Sequence, residues 1–439
     1  MLLFWCAVVA PVALAFPVAQ TKYGLPRGLS QAYSSALAGR QDIDLNPYAF
    51  KPRLTFRPDG TFKITVFSDL HFGENPWDTW GPQQDVNSIQ LMNTVLEDEK
   101  PDYVYVVQVV ALRWLLVRHI HDFLDSVLNG DLITGENTFR QNSTTLIDEI
   151  VAPLNKLKIP FSSTHGNHDN EPNITHAEEI KREQLVAPLS YTRAAPAWAD
   201  GEGYGPGTYW VPVYTRNTDR SPSLILWFFD SRGDVVLYTT LMISTTYSER
   251  TAGGFSEGVN STALPDWVDA SVADWITLTV SQMDAAWGPA EQVARGSLVF
   301  VHIPPHAVQA LQPGLNSTQD PGLNADLLGE GSTQATSDPA NNGKDQPYWD
   351  AVNAQIKNLH GVISGHDHGN EWCKREPTKD VIFCFDKHSG YGGYSSTGWG
   401  HGVRNVVFRS PNPSVGPETW IRMEDGETHA RIIMDDSYN

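Results

Sequence analysis

Apolar residues in this chain gather into short, nearly unbroken runs separated by polar stretches of helical length. The runs Phe62 to Phe67, Val127 to Asn129, Ile159 to Thr164, Leu224 to Phe229, Leu298 to Ile303 and Val362 to Ser364 are rich in β-branched and aromatic residues. Hydrophobicity that is continuous rather than alternating predicts strands buried on both faces. Between them, Asp85 to Glu99, Asn142 to Leu157, Thr175 to Leu185 and Pro347 to Leu359 have the make-up of helices, so the fold class is α/β. The stretch from Leu311 to Gln346, crowded with Gly, Asn, Ser, Asp and Pro, reads as a long loop. Near the end, Trp420 to Met423 and Ala430 to Ile433 flank Glu424-Asp425-Gly426-Glu427, which predicts a hairpin.

The chemistry stands where the runs stop. The first is followed by Asp69-Leu70-His71, the second by Gly130-Asp131, the third by Gly166-Asn167-His168-Asp169, the fifth ends with His302, and the sixth leads into Gly365-His366-Asp367-His368. At strand period, Asp69 and His71 are expected to point the same way. Taken singly, each piece is compatible with a turn, a capped helix start or a satisfied core histidine. Five of them in this order, each closing a strand, bring together Asp69, His71, Asp131, Asn167, His302, His366 and His368. Carboxylate, amide and imidazole donors without cysteine suit borderline first-row metals, and manganese, iron and zinc all fit. Seven donors exceed the needs of one ion but suit two that share a carboxylate, the arrangement used for in-line displacement at phosphorus.

These motifs resemble the signature of the calcineurin-like metallophosphoesterase superfamily: Asp-x-His, Gly-Asp, Gly-Asn-His-Asp, His and Gly-His-x-His, in that order, over about Leu54 to Arg404. The pieces Asn129-Gly130-Asp131-Leu132-Ile133-Thr134-Gly135-Glu136-Asn137 and Tyr391-Gly392-Gly393-Tyr394 are similar to a fungal, secreted, purple acid phosphatase-like subgroup. The resemblance implies a four-layer α/β/β/α sandwich with the metal site at the C-terminal ends of its strands. It also implies that Asp69, His71, Asp131 and His368 hold one ion and that Asp131, Asn167, His302 and His366 hold the other, with Asp131 bridging. The implied reaction is attack on a phosphate ester by a hydroxide shared between the ions, with His168 protonating the leaving oxygen or stabilising the transition state. Asp169 is assigned either to orienting His168 or to capping the turn. Asn167, His168 and Arg404 are the candidate phosphate contacts; the Gly398–Arg404 stretch reads equally as site lining or as a turn around a packed Trp399. The favoured substrate is a phosphomonoester, small or protein-borne; a phosphodiesterase or nucleotidase and an inactive pseudoenzyme are the alternatives.

Composition limits the rest. With 439 residues, 41% of them hydrophobic, the chain has ample material for a large core, and its net charge of -20 argues against sequence-independent nucleic-acid binding, which requires a positive face. No stretch beyond the N-terminus has the roughly 20 apolar residues of a membrane span, so no stable membrane anchor is expected. Residues 1–15 look like a secretory signal ending in Ala13-Leu14-Ala15. Sequons at Asn142, Asn173, Asn260 and Asn316 agree with a secreted or vacuolar glycoprotein. Removal of the signal would take Cys6 with it, and the remaining Cys373 and Cys384 are expected to pair. Residues 16–53 read as an N-terminal extension, 54–409 as the catalytic domain and 410–439 as a terminal hairpin packed on it.

Two segments depart from the family pattern. About 22 residues, 105–126, separate Asp102-Tyr103-Val104 from Val127, and about 20 residues, 234–253, separate Arg232-Gly233 from Gly254-Phe255. Joining the flanks restores the pattern in both places, which reads as two retained introns; two genuine insertions are the other reading. The first enters the strand that delivers Asp131 and is expected to threaten activity, although a replacement strand from Asp122 to Asn129 would rescue it. The second is expected to be better tolerated, in a surface loop where added length costs little.

Overall fold

In the computed structural model, which describes residues 45–99, 125–171, 173–233 and 264–438, the run Leu224–Phe229 shows why its hydrophobicity is unbroken. Leu224, Leu226 and Phe228 face a core shared by two sheets, whereas Ile225, Trp227 and Phe229 face a second core beneath helices. A strand between two apolar layers has no polar side to alternate with.

The elements follow in the order β1 (Leu54–Thr55), β2 (Phe62–Phe67), α1 (Gly81–Asp98), β3 (Asp125–Asn129), α2 (Leu146–Leu157), β4 (Phe161–Thr164), α3 (His176–Val186), β5 (Tyr209–Tyr214), β6 (Leu224–Phe229) and α4 (Ser271–Trp287). After them come α5 (Ala290–Val293), β7 (Gly296–Val301), α6 (Gln346–Gln355), β8 (Leu359–Ser364), β9 (Cys373–Glu376), β10 (Val381–Phe385), β11 (Gly402–Phe408), β12 (Glu418–Met423) and β13 (Thr428–Ile433). Among the described residues these strands form a seven-stranded sheet, β1-β5-β6-β7-β8-β10-β9, and a six-stranded sheet, β13-β12-β11-β2-β3-β4. Phe62, Ile64 and Val66 of one sheet meet Phe228, Leu298 and Phe300 of the other. Helices α4 and α6 cover the outer face of the larger sheet, and α1 and α2 cover that of the smaller, completing four layers, α/β/β/α.

The helices obey their own spacing. In α4 the buried residues Val272, Trp275, Ile276, Thr279 and Met283 recur at helical period, although the segment is rich in β-branched residues and was not marked by the pattern of runs. Helix α2 carries Asp148 and Glu149 in its first turn and Lys156 in its last, complementing the helix dipole, and ends at Lys158 with φ 57°. The terminal hairpin closes where Gly426, at φ 92°, donates its N–H to the Met423 carbonyl, and it extends the smaller sheet through β11. The loop from 311 to 346 contains only short 3-10 turns, at Gln312–Gly314 and Pro339–Asn341.

Phe228 stacks between Tyr209, 4.7 Å away, and Phe300, 5.3 Å away, in the centre of the inter-sheet core. Phe228→Ala is expected to cost about 3–5 kcal/mol in urea unfolding, since transfer and cavity terms add there; a loss under about 1 kcal/mol would show that the core collapses around the gap.

Several sequence expectations meet the structure here. Cys373 and Cys384 are register partners in β9 and β10 and are joined by a disulfide. Asn142 and Asn316 are exposed, but Asn173 is buried with Nδ2 donated to the Thr138 carbonyl at 3.0 Å, so the folded protein has no room for a glycan there. Asn260, residues 1–44 and the second predicted insertion lie outside the described residues, as do residues 105–124 of the first. Asp125 and Ser126, the end of that first segment, are strand residues of β3; Ser126 pairs with Thr65 and Phe161. No helix among the described residues is long and apolar enough to cross a membrane.

Candidate metal centre

Three parallel neighbours of the smaller sheet, β2, β3 and β4, and two of the larger, β7 and β8, end at the same edge of the sandwich. Each is followed within a few residues by one of the polar groups marked in the sequence. The smaller sheet supplies Asp69, His71, Asp131 and Asn167, the larger His302, His366 and His368.

The convergence does not come from strand alternation. Asp69 and His71 lie beyond the end of β2 with φ of 55° and 50°, Asp131 follows Gly130 with φ 44°, and His366 has φ 79°. A left-handed conformation at a residue other than glycine costs about 1–3 kcal/mol and persists only where surroundings fix it. Here the backbone does so: Asp69 N–H donates to Gly130 O at 3.1 Å and His71 N–H to Asp131 O at 2.9 Å, while His366 N–H donates to the Asp69 carboxylate at 3.0 Å. Gly130 is needed for contact as well as for its φ of 80°, because a Cβ there would lie 2.3 Å from His302 Nδ1.

Two groups of donors result, Asp69 with His71 and His368, and Asp131 with His302 and His366; within each, the donor atoms lie within 4.8 Å of one another. Asp131 stands between them, with Oδ2 3.0 Å from His302 Nε2 and 3.7 Å from His71 Nε2. Every imidazole has one nitrogen held from outside. His302 Nδ1 donates to Asn129 O at 2.8 Å, His368 Nδ1 to Tyr394 O at 2.5 Å and His366 Nε2 to Gly331 O at 2.9 Å, while His71 Nδ1 meets the Thr134 hydroxyl at 3.1 Å. Carbonyl oxygens only accept, so the three bonds to carbonyls set the tautomers of His302, His366 and His368 and turn their other nitrogens inward, as outer partners do for metal-binding histidines. His71 Nε2 and His368 Nε2 then face each other at 3.2 Å, and Asn167 Oδ1 is buried with no hydrogen-bond partner among the described residues. A cluster of inward-facing lone pairs and carboxylates fits cations. In the metal-free protein a proton takes part of that role: burial opposes charge on His302, but Asp131 outweighs it and raises the imidazole to about 9.

The centre opens into a cleft of ≈ 340 Å³ whose wall includes Glu74, Thr134, Glu136, His168 and Tyr394. His168 takes no part in either donor group. Its Nδ1 lies 2.9 Å from Glu136 Oε1, and although burial works against its charge, Glu136 and Asp131 hold its pKa well above the ordinary histidine range. Asp169 does not orient it. The Asp169 carboxylate accepts from Gly166 N–H and Ile133 N–H, both at 2.8 Å, and so closes its own turn and ties it to the loop after Asp131. The carboxylate beside the His168 ring is that of Glu136, five residues after Asp131 on a 3-10 turn, a residue the sequence motifs leave without a role. Glu136→Ala frees the ring and is expected to lower kcat about tenfold with metal content unchanged; unaltered kcat at full metal loading would remove Glu136 from the site.

Arg404 is likewise corrected. It is fully buried in β11, donating to Phe385 O, Thr419 Oγ1 and Glu371 O at 2.8, 3.0 and 2.5 Å, and therefore ties strands together out of reach of the cleft. The segment Asp230 to Gly233, expected to open a surface loop, is buried and packs on the Asn167 loop: a Cβ on Gly233 would lie 3.0 Å from Asn167 O.

Residues 62–370 match the family model for calcineurin-like phosphoesterases. The chain is 24% identical over 400 residues to a protein of Arabidopsis thaliana named probable inactive purple acid phosphatase 14, covering 87% of this chain and 84% of that one. It is 24% identical over 387 residues to the phosphatase DCR2 of Saccharomyces cerevisiae, covering 85% of this chain and 55% of that protein. Among solved structures it is similar to a dimetal phosphatase from Danio rerio, with TM-score 0.44 and 12% identity over 86% of this chain and all of the other.

Proposed function

Because this chain belongs to the calcineurin-like phosphoesterases, we propose that it hydrolyses phosphate esters, monoesters in preference to diesters, at a centre of two metal ions. The observation that carries the reading is the position of Asp131 between two donor groups, each with inward-facing imidazoles and a carboxylate. Asp69, His71, Asp131 and His368 would hold one ion and Asp131, Asn167, His302 and His366 the other. Such ions supply positive charge to the phosphoryl oxygens and lower the pKa of water at the centre.

The protein's own residues supply the rest. No Lys or Arg is found among the described residues lining the cleft, so the positive charge that the wall adds comes from His168 on its Glu136 support. Held protonated at the cleft, His168 is placed to give a proton to the departing alkoxide. Gly393 N–H donates to Glu74 Oε2 at 2.8 Å and fixes the opposite wall. Secretion is part of the proposal, supported by the apolar N-terminus and by the Cys373–Cys384 bond, which suits an oxidising compartment.

The test is a panel of para-nitrophenyl mono- and diesters after chelation and reloading with manganese, iron or zinc. Monoester turnover that vanishes with chelator and returns with metal is the expected result; faster diester turnover would reassign the substrate class. The name of the Arabidopsis relative, a probable inactive phosphatase, favours a second reading, in which this chain holds the donor groups without turning over esters. It predicts full metal loading with no turnover on any ester.

A further inference from the structure

Strand β6 contributes nothing to the two donor groups, yet its end is tied to the Asn167 loop by a pair of groups that the reaction does not use. His176, the first residue of α3, is completely buried. Its Nδ1 lies 2.9 Å from Asp230 Oδ2 and its Nε2 2.8 Å from Gly166 O. Asp230, equally buried and directly after β6, also accepts from Gly207 N–H and Arg232 N–H, both at 2.8 Å. The Gly166 carbonyl cannot donate, so Nε2 carries a proton, and an Asp230 carboxylate that already accepts from two backbone N–H groups favours the ionised form and a second proton on Nδ1. Burial opposes that charge, but Asp230 holds the imidazole above its ordinary range.

We propose that His176 and Asp230 form a buried ion pair whose function is to fix the Gly166 carbonyl and thereby place Asn167 and His168 at the metal centre. An ion pair of this kind is a poor source of stability, because desolvation offsets most of the attraction, and its retention is understood through the geometry it enforces. The geometry leaves no slack. A Cβ on Gly166 would lie 2.2 Å from Asp131 Oδ1 and 2.7 Å from His302 Cδ2, so the loop is wedged between two of the proposed ligands. One peptide further on, His168 N–H donates to Asp131 Oδ1 at 3.0 Å. A shift of the Gly166 carbonyl therefore moves Asn167, His168 and the hydrogen bond to the bridging carboxylate together. His176 and Asp230 are positioning residues, and the inference rests on the reading of Asn167 as a ligand.

Two measurements test it. In the metal-free wild type, nitrogen NMR of the His176 ring at pH 7, assigned by through-bond correlation from its own backbone, should show two N–H groups, and one in Asp230→Asn; a single N–H in the wild type overturns the ion pair whether or not any variant folds. Manganese titration by calorimetry should show two sites in the wild type, with one weakened at least tenfold in His176→Phe and the other little changed, as is usual when a group behind a ligand is removed. A lowered melting temperature with both affinities intact would leave only a structural role and overturn the proposal. A wild type that takes up no manganese would instead remove the metal-centre reading, with the ring protons still deciding on the pair.

Discussion

A folded, metal-free and inactive protein is the expected product of Asp131→Ala. Its carboxylate is the contact common to the two donor groups, 3.0 Å from His302 and 3.7 Å from His71. Without it the second group retains two imidazoles and an amide, neutral donors facing a cation that has lost its counter-charge, and the first retains Asp69 alone as an anion. Both affinities should collapse, and turnover should fall by on the order of 10⁴-fold or more, as when a residue shared by a whole catalytic unit is removed. The three apolar cores do not include this side chain, so cooperative unfolding should survive. Elemental analysis beside para-nitrophenyl phosphate turnover checks the result; a variant that still carries two ions per chain would contradict the bridging role.

His168→Ala should separate what Asp131→Ala abolishes together. The ring belongs to neither donor group and is about one third exposed in the cleft, so both ions should remain at wild-type stoichiometry. Turnover should fall by roughly 10²- to 10⁴-fold, the usual worth of a positioned acid. The loss should be greater for alkyl phosphates than for para-nitrophenyl phosphate, whose leaving group scarcely needs a proton. Equal losses on both substrates would assign His168 to charge stabilisation, and full activity would remove it from the reaction.

Much of this architecture is legible in the sequence because buried parallel strands announce themselves as unbroken apolar runs and because the donors stand directly after them. What escaped has physical reasons. β5 contains Pro212, which cannot donate to a ladder; it fits because the short β1 pairs only with Val213 and Tyr214. β11 reads as a glycine-rich turn because Arg404 interrupts its apolar pattern, and only the folded chain brings three acceptors from distant segments to that guanidinium. Asp169 and Glu136 exchanged roles for a similar reason: chain adjacency suggested one partner for His168, and the approach of two loops supplied another. The meeting of Asp69 and His71 follows from left-handed backbone beyond β2, which spacing alone does not encode.

The direction of the strands bears on how this gene can vary. Each parallel strand has a beginning remote from the ligands and an end beside them. Chain added between Glu99 and Asp125 joins β3 at its remote end, and Asn129-Gly130-Asp131 at the other end reaches the centre in register with β2 and β4. Chain added after Gly233 leaves from the chemical edge, against the backbone of Asn167. Transcript variants that differ at the first junction are therefore expected to share a catalytic centre, and those that differ at the second are expected to alter it.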